Sequence, residues 1–310
     1  MRSELKGRDL LSLRDLSRQE IELIFEATTE LKTLAKMGHF PKLLDGKTLA
    51  MVFQKTSTRT RVSFEVAMAH LGGHALFLSA NDLQLRIGET ILDTARVLGR
   101  YVDGIMARVF AHQDVVDLAE GSRAPVINGL SDFTHPCQGL TDFYTILEHK
   151  GKLSGLTIAY VGDGNNVANS LIFGGTLLGL HVRLGTPSKY RPPDEVLKKA
   201  SEFAAISGGS LEIFEDPRKA VQDADVVYTD TWVSMGQEKE KEERLKVFKP
   251  YQLSTDLLKH AKKDAIVMHC LPAHRGLEIT DEVMDGPQSV IFDQAENRLH
   301  VQKAILALLL

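Results

Sequence analysis

Ser57-Thr58-Arg59-Thr60-Arg61 stands where an apolar stretch, 49–53, gives way to a helical pattern. Hydroxyls, the spare backbone N–H groups of a first helical turn and a guanidinium converge there, which suits a phosphate. A capped helix with a solvated basic first turn would use the same residues, but two arginines at a helix start oppose the macrodipole, and an anion relieves that cost. His135-Pro136-Cys137-Gln138 puts a proline in the first turn of another helix and leaves His135 and Gln138 near a strand end, where open α/β sheets hold ligands. Those side chains could equally do no more than satisfy backbone groups. Arg108 follows a strand ending at Ala107 and, taken alone, has the character of a surface arginine.

Gly162-Asp163-Gly164-Asn165-Asn166 also lies between a strand and a helix. It fails as a dinucleotide fingerprint, because Val167 replaces the third glycine and the next strand, ending near Leu184, lacks the acidic residue that holds a ribose. A backbone-and-amide site for a small polar ligand remains. His269-Cys270-Leu271-Pro272-Ala273-His274 ends a further strand and invites a metal. Pro272 breaks any helix that would align Cys270 with His274, and no second cysteine or nearby acid completes a zinc set, so no metal is expected. The run 238–244, EKEKEER, is a solvated helix face with alternating charges, preceded by a polar loop, 230–237, of the kind that can act as a lid.

Positioning these residues requires alternating strands and helices. Ser17 and Glu20 have capping-box spacing, and a first helix runs to about Met37. Strands are expected at 48–53, 74–78, 102–107 and 125–128, with helices at 58–71, 89–100, 112–120 and 136–150. Gly151, Ser154 and Gly155 mark a hinge, after which strands follow at 156–161, 181–184, 211–214, 226–229, 265–269 and 289–292. A last helix, 294–309, could return to the first half. The expected fold is α/β: two doubly wound domains, each a mostly parallel sheet flanked by helices. The first spans 1–150 plus the helix 294–310, and the second spans 151–293.

The 310 residues, 43% hydrophobic and 25% charged, leave room for two cores and exclude disordered and low-complexity classes. A net charge of −4 argues against a nucleic-acid or membrane-surface partner, so any anion site must be local. Two distant cysteines, Cys137 and Cys270, point to a reducing compartment, and the first twenty residues have no apolar core of a signal peptide; a cytoplasmic location is expected.

Six segments in this order resemble the transcarbamylases: 57–61, Arg108, 135–138, 162–166, Asp230 with Ser234-Met235-Gly236, and 269–272. The likeness covers essentially the whole chain. It implies that Ser57, Thr58, Arg59 and Thr60 hold the phosphate of carbamoyl phosphate, with Arg108 at the bridging or carbonyl side and His135 and Gln138 at the carbamoyl group. A loop from a neighbouring subunit, 79–89, would bring Gln84 to the phosphate, making a homotrimer with shared sites and leaving higher assemblies of trimers open. Asn166, Asp230, Ser234 and Met235 match ornithine-binding positions, Cys270 and Leu271 lie where the substrates meet, and Arg298 lies near the carbamoyl group. Arg108, His135 and Cys270 would be catalytic, Cys270 by accepting a proton from the attacking amine or by positioning it. The implied reaction is direct attack by the side-chain amine of L-ornithine, giving L-citrulline and phosphate for arginine biosynthesis, with no metal or cofactor. Putrescine, acylated ornithine or aspartate are the alternative acceptors. A phosphate-sensing protein of the same fold would have no need of His135, Gln138 and Cys270 together.

Overall fold

The computed structural model describes residues 5–234 and 236–310; Met235, expected in the acceptor site, lies outside them. The first half of the chain runs through α1 (Arg18–Lys36), β1 (Thr48–Phe53), α2 (Thr58–His70), β2 (His74–Ser79), α3 (Ile91–Leu98), β3 (Gly104–Arg108), α4 (His112–Gly121), β4 (Val126–Leu130) and α5 (Pro136–Lys150). It continues with β5 (Thr157–Val161), α6 (Asn166–Leu177), β6 (His181–Gly185), α7 (Asp194–Ser207), β7 (Ser210–Phe214), α8 (Pro217–Val221) and β8 (Val226–Thr229). The remainder is α9 (Lys241–Phe248), α10 (Thr255–Leu258), β9 (Ile266–His269), α11 (Asp281–Met284) and α12 (Ile291–Leu309). Two compact units result, Met1–Leu140 with Asn297–Leu310, and Thr141–Glu296.

The first unit holds a parallel sheet in the order β2-β1-β3-β4. Its central strands are buried on both faces, which is why Leu49 to Phe53 and Ile105 to Ala107 are continuous apolar runs without a polar alternate. Val52, Ile105, Val115, Leu118 and Val126 share one core cluster there. The chain moves from β1 to β2 on one side and to β3 and β4 on the other, so the sheet has its topological switch between β1 and β3. The capping box at Ser17 forms as expected, with the Ser17 hydroxyl accepting from Glu20 N and Glu20 Oε2 accepting from Ser17 N.

In the second unit the parallel order is β7-β6-β5-β8-β9, with its switch between β5 and β8. The carboxyl ends of those two strands carry Gly162-Asp163-Gly164-Asn165 and Asp230. The strand expected at 289–292 does not form: Ser289 makes an isolated bridge to Val267, and Ile291 already begins α12. Its short apolar run has no periodicity to separate a strand from the buried start of a helix.

Candidate active site

In the first unit a cluster of candidate residues grows from the end of β1. Ser57 is the N-cap of α2, its hydroxyl accepting from Thr60 N at 3.2 Å and donating to Thr60 Oγ1 at 3.1 Å. Arg298, buried on α12, donates from Nη2 to the same Thr60 Oγ1 at 3.1 Å and from Nη1 to Gln138 Oε1 at 2.7 Å. The structure therefore brings together segments 57–60, 135–138 and Arg298, three regions far apart in the chain. Arg61 is turned away, paired with Glu65 and stacked 3.7 Å from the centre of the Phe77 ring.

Pro136 starts α5 beside His135, whose carbonyl accepts from Gln138 N and Gly139 N. The loop before it is held by buried Asn128, which donates to Leu11 O at 2.9 Å and Thr134 Oγ1 at 3.2 Å. Burial, followed by the positive charges of Arg298, Arg108 and Arg59, holds the His135 imidazole well below its ordinary value. His135 is consequently neutral at pH 7, offering one donor and one acceptor nitrogen in a field of three guanidinium groups. Cys137 is no part of that chemistry: its thiol is fully buried, points to Asn128 O at 3.5 Å and is pushed up by burial to about 12. Thr58 is exposed and Arg59 half-buried at the mouth of the same turn. Gln84 lies exposed at the start of the short 3-10 turn Gln84–Ile87, and among the described residues its side chain makes no bond to this cluster.

In the second unit another cluster grows from β8 and the turn after β5. Asp230 is buried; its Oδ2 accepts from Asn165 Nδ2 at 2.8 Å and its Oδ1 from Thr231 N at 2.7 Å and from the Cys270 thiol at 3.0 Å. Asn165 also caps α6 by accepting from Val167 N and Ala168 N. Neighbouring Asn166 and, on the loop after Asp230, Ser234 are half-buried; Ser234 N donates to Gln237 Oε1 at 3.0 Å. Burial and then the adjacent Asp230 charge hold the Cys270 thiol well above its ordinary value. The thiol therefore keeps its proton and donates it to Asp230. Leu271 sits next to it with a positive φ of 59°, its N–H donating to His269 Nδ1 at 2.8 Å.

Asp230, His269 and Cys270 present ligand atoms within 4.8 Å of one another, so the expectation that no acid lies near Cys270 is corrected. Forty residues of sequence separate that carboxylate from the thiol, and only the β8–β9 pairing joins them. The trio is nevertheless built for hydrogen bonds. His269 Nδ1 accepts from Leu271 N, which leaves the proton on Nε2 to donate to buried Glu278 at 3.1 Å. Neither imidazole nitrogen has a spare lone pair, and the thiol is protonated.

Several supporting residues were not visible in the sequence. Asn165 lies in the 162–166 turn already read as an amide site, and its capping role has a signal too, since asparagine before a helix is a preferred cap. Gln302 lies one turn beyond Arg298, and its amide, turned to satisfy its neighbours, accepts from Arg298 Nε and Nη2 at 3.1 Å each. Behind Cys270, Tyr228 donates to Asp142 at 3.2 Å, while Gln294 donates to Asp142 at 2.6 Å and accepts from His269 N at 2.9 Å. No local pattern links those three.

Three guanidinium groups gathered about His135 in one parallel α/β unit, and a buried carboxylate in the other, are features that suit an enzyme of group transfer. Residues 8–148 match the family described as "Aspartate/ornithine carbamoyltransferase, carbamoyl-P binding domain", and residues 154–309 match its "Asp/Orn binding domain"; the chain belongs to the aspartate/ornithine carbamoyltransferase family. It is 64% identical over 306 residues to an ornithine carbamoyltransferase of Pyrococcus abyssi, covering 99% of this chain and 96% of that one. An anabolic ornithine carbamoyltransferase of Pyrococcus furiosus is 63% identical over 306 residues, covering 99% and 97%. A solved ornithine carbamoyltransferase from P. furiosus superposes with a TM-score of 0.96 at 63% identity, covering 98% of this chain and 97% of that one.

Proposed function

We propose that this enzyme transfers the carbamoyl group of carbamoyl phosphate to the side-chain amine of L-ornithine, giving L-citrulline and phosphate. The observation that carries the donor half is the convergence of Arg59, Arg108 and Arg298 on a neutral His135. Ser57, Thr58, Arg59 and Thr60 bind the phosphate, and His135 and Gln138 with Arg108 and Arg298 hold the carbamoyl group. As the amine attacks the carbonyl carbon, charge builds on the carbonyl oxygen and then on the leaving phosphate. Fixed guanidinium groups stabilise both without reorganising. The carbon–oxygen bond to phosphate then breaks, and the extra proton on the nitrogen passes to an oxygen of the departing phosphate.

An alkylamine with a pKa of about 10.4 is neutral in roughly one molecule per thousand at pH 7.4, a handicap of about 4 kcal/mol. A carboxylate beside that amine would deepen the handicap. Asp230 therefore takes the α-ammonium of ornithine, with Asn166, Ser234 and Met235 completing the acceptor site, while Cys270, its thiol proton engaged by Asp230 at 3.0 Å, stands between that carboxylate and the reacting nitrogen, with Leu271 beside it. The same carboxylate repels an aspartate acceptor. We assign donor binding to 1–150 with 294–310 and acceptor binding to 151–293.

The assembly we propose is a homotrimer in which Gln84 serves a neighbouring subunit. Its support is the edge strand β2 with exposed Leu76 and Phe77, an apolar edge that a second copy would cover. Among the described residues no helix is long and apolar enough to cross a membrane; we place the enzyme in the cytoplasm, in arginine biosynthesis. Incubation with carbamoyl phosphate and ornithine should release citrulline and phosphate in equal amounts. Phosphate binding without transfer would instead mark a sensor.

A further inference from the structure

Arg244, within the charged run 238–244, and Asp163 have no part in the reaction as described, yet the fold buries these two side chains together. Arg244 on α9 is only 6% exposed. Its Nη1 donates to Asp163 Oδ2 at 2.8 Å and to the Trp232 carbonyl at 3.2 Å, and its Nε donates to Glu240 Oε2 at 2.9 Å. The guanidinium carbon lies 4.8 Å from the centre of the Tyr190 ring. An arginine in an exposed salt-bridged helix face would have none of these burials; here the solvated face expected for this run is interrupted by one inward residue.

The positions of its partners matter. Asp163 lies in the turn after β5, immediately before the stretch with Asn165 and Asn166, and Trp232 lies midway between Asp230 and Ser234. Glu240 follows the same loop at its far end. The loop is bonded within itself, Gln237 N to Ser234 O at 3.0 Å and Glu240 N to Gln237 O at 2.9 Å, while Thr231 ties its start to Asp230 and to His274 Nδ1 at 3.2 Å. One planar cation therefore joins the Asn166 turn to both ends of the Ser234 loop. Lysine, a point charge without a fork, could not make these bonds at once.

We propose that Arg244 is a positioning residue for the acceptor amino acid, setting the spacing between the Asn166 turn and the Ser234 loop through its bonds to Asp163 and the Trp232 carbonyl. The inference rests on the assignment of those two segments to acceptor binding. Steady-state kinetics and thermal unfolding of Arg244→Gln, Arg244→Lys and the double variant Asp163→Asn with Arg244→Gln test it. Losing two buried charge-assisted bonds should raise the KM for ornithine about tenfold or more in Arg244→Gln, with the KM for carbamoyl phosphate changed less than about twofold. Arg244→Lys should fall between. The double variant leaves no buried charge unpaired, so its Tm should recover while its ornithine KM stays raised. An ornithine KM that recovers with Tm, or equal rises in both KM values, overturns the proposal. A wild-type enzyme that carbamoylates a different amine would correct the assigned acceptor, and the same split would then be read on that amine; a wild type that transfers to none overturns both.

Discussion

Arg59 and His135 make demands on the same phosphate ester that differ in kind. Arg59 has to match oxygen geometry, and its fork does so where an ammonium cannot. Arg59→Lys should therefore lower kcat/KM for carbamoyl phosphate by about 10- to 100-fold, the loss of one charge-assisted bond, with Tm unchanged. Unchanged kinetics would remove Arg59 from the phosphate site. His135 must stay uncharged among cations, and that has a cost at low pH. Its folded value lies well below the 6.5 of the unfolded chain. Below pH 6.5 the unfolded chain takes up a proton that the folded protein refuses, so stability is complete above that pH and falls beneath it by about 1.4 kcal/mol per unit for this group. Denaturant unfolding at pH 5.5 and 7.5 should show the loss in the wild type and a smaller loss in His135→Gln; equal losses would contradict it.

At the scale of elements, the turns at strand ends do the positioning. Asn165 caps α6 and grips Asp230 with the same amide, so Asn165→Ala should cost about 1–2 kcal/mol of stability and weaken ornithine binding together. A calorimetric scan and the ornithine KM check the pair, and loss of one without the other would separate the cap from the site. Much of this was legible beforehand. Motifs at strand-to-helix junctions predict their own surroundings, because a parallel sheet puts every such junction at one edge. The links between junctions were not legible. Asp230 meets Cys270, and Arg298 meets Thr60, only through pairing and packing across 40 and 238 residues. The apolar run 289–292 was ambiguous for a simpler reason, being too short to show a period. Asp142, Tyr228 and Gln294 satisfy one another in the core, and nothing about a lone aspartate in α5 announces such partners.

For the whole molecule, the exposed position of Gln84 and the apolar edge at β2 carry the claim that sites are shared between subunits. Mixing Gln84→Ala with Arg108→Ala subunits after dissociation tests it directly. Hybrid trimers would contain a site that takes both wild-type residues, so activity should return to a measurable fraction of the wild type. No recovery in verified hybrids would place Gln84 and Arg108 in the same subunit's site or Gln84 outside it. The modest net charge of −4 belongs to this picture too, since the cations that matter are concentrated about His135 and the rest of the surface need not attract anions. The central claim is the pairing of carbamoyl phosphate with ornithine, and the most direct test is to present the purified enzyme with carbamoyl phosphate and a panel of ornithine, acetylornithine, putrescine and aspartate. The buried Asp230 carboxylate and the Ser234 loop predict a kcat/KM for ornithine roughly 100-fold or more above each of the others, whereas equal use of putrescine, or preference for aspartate, would contradict it.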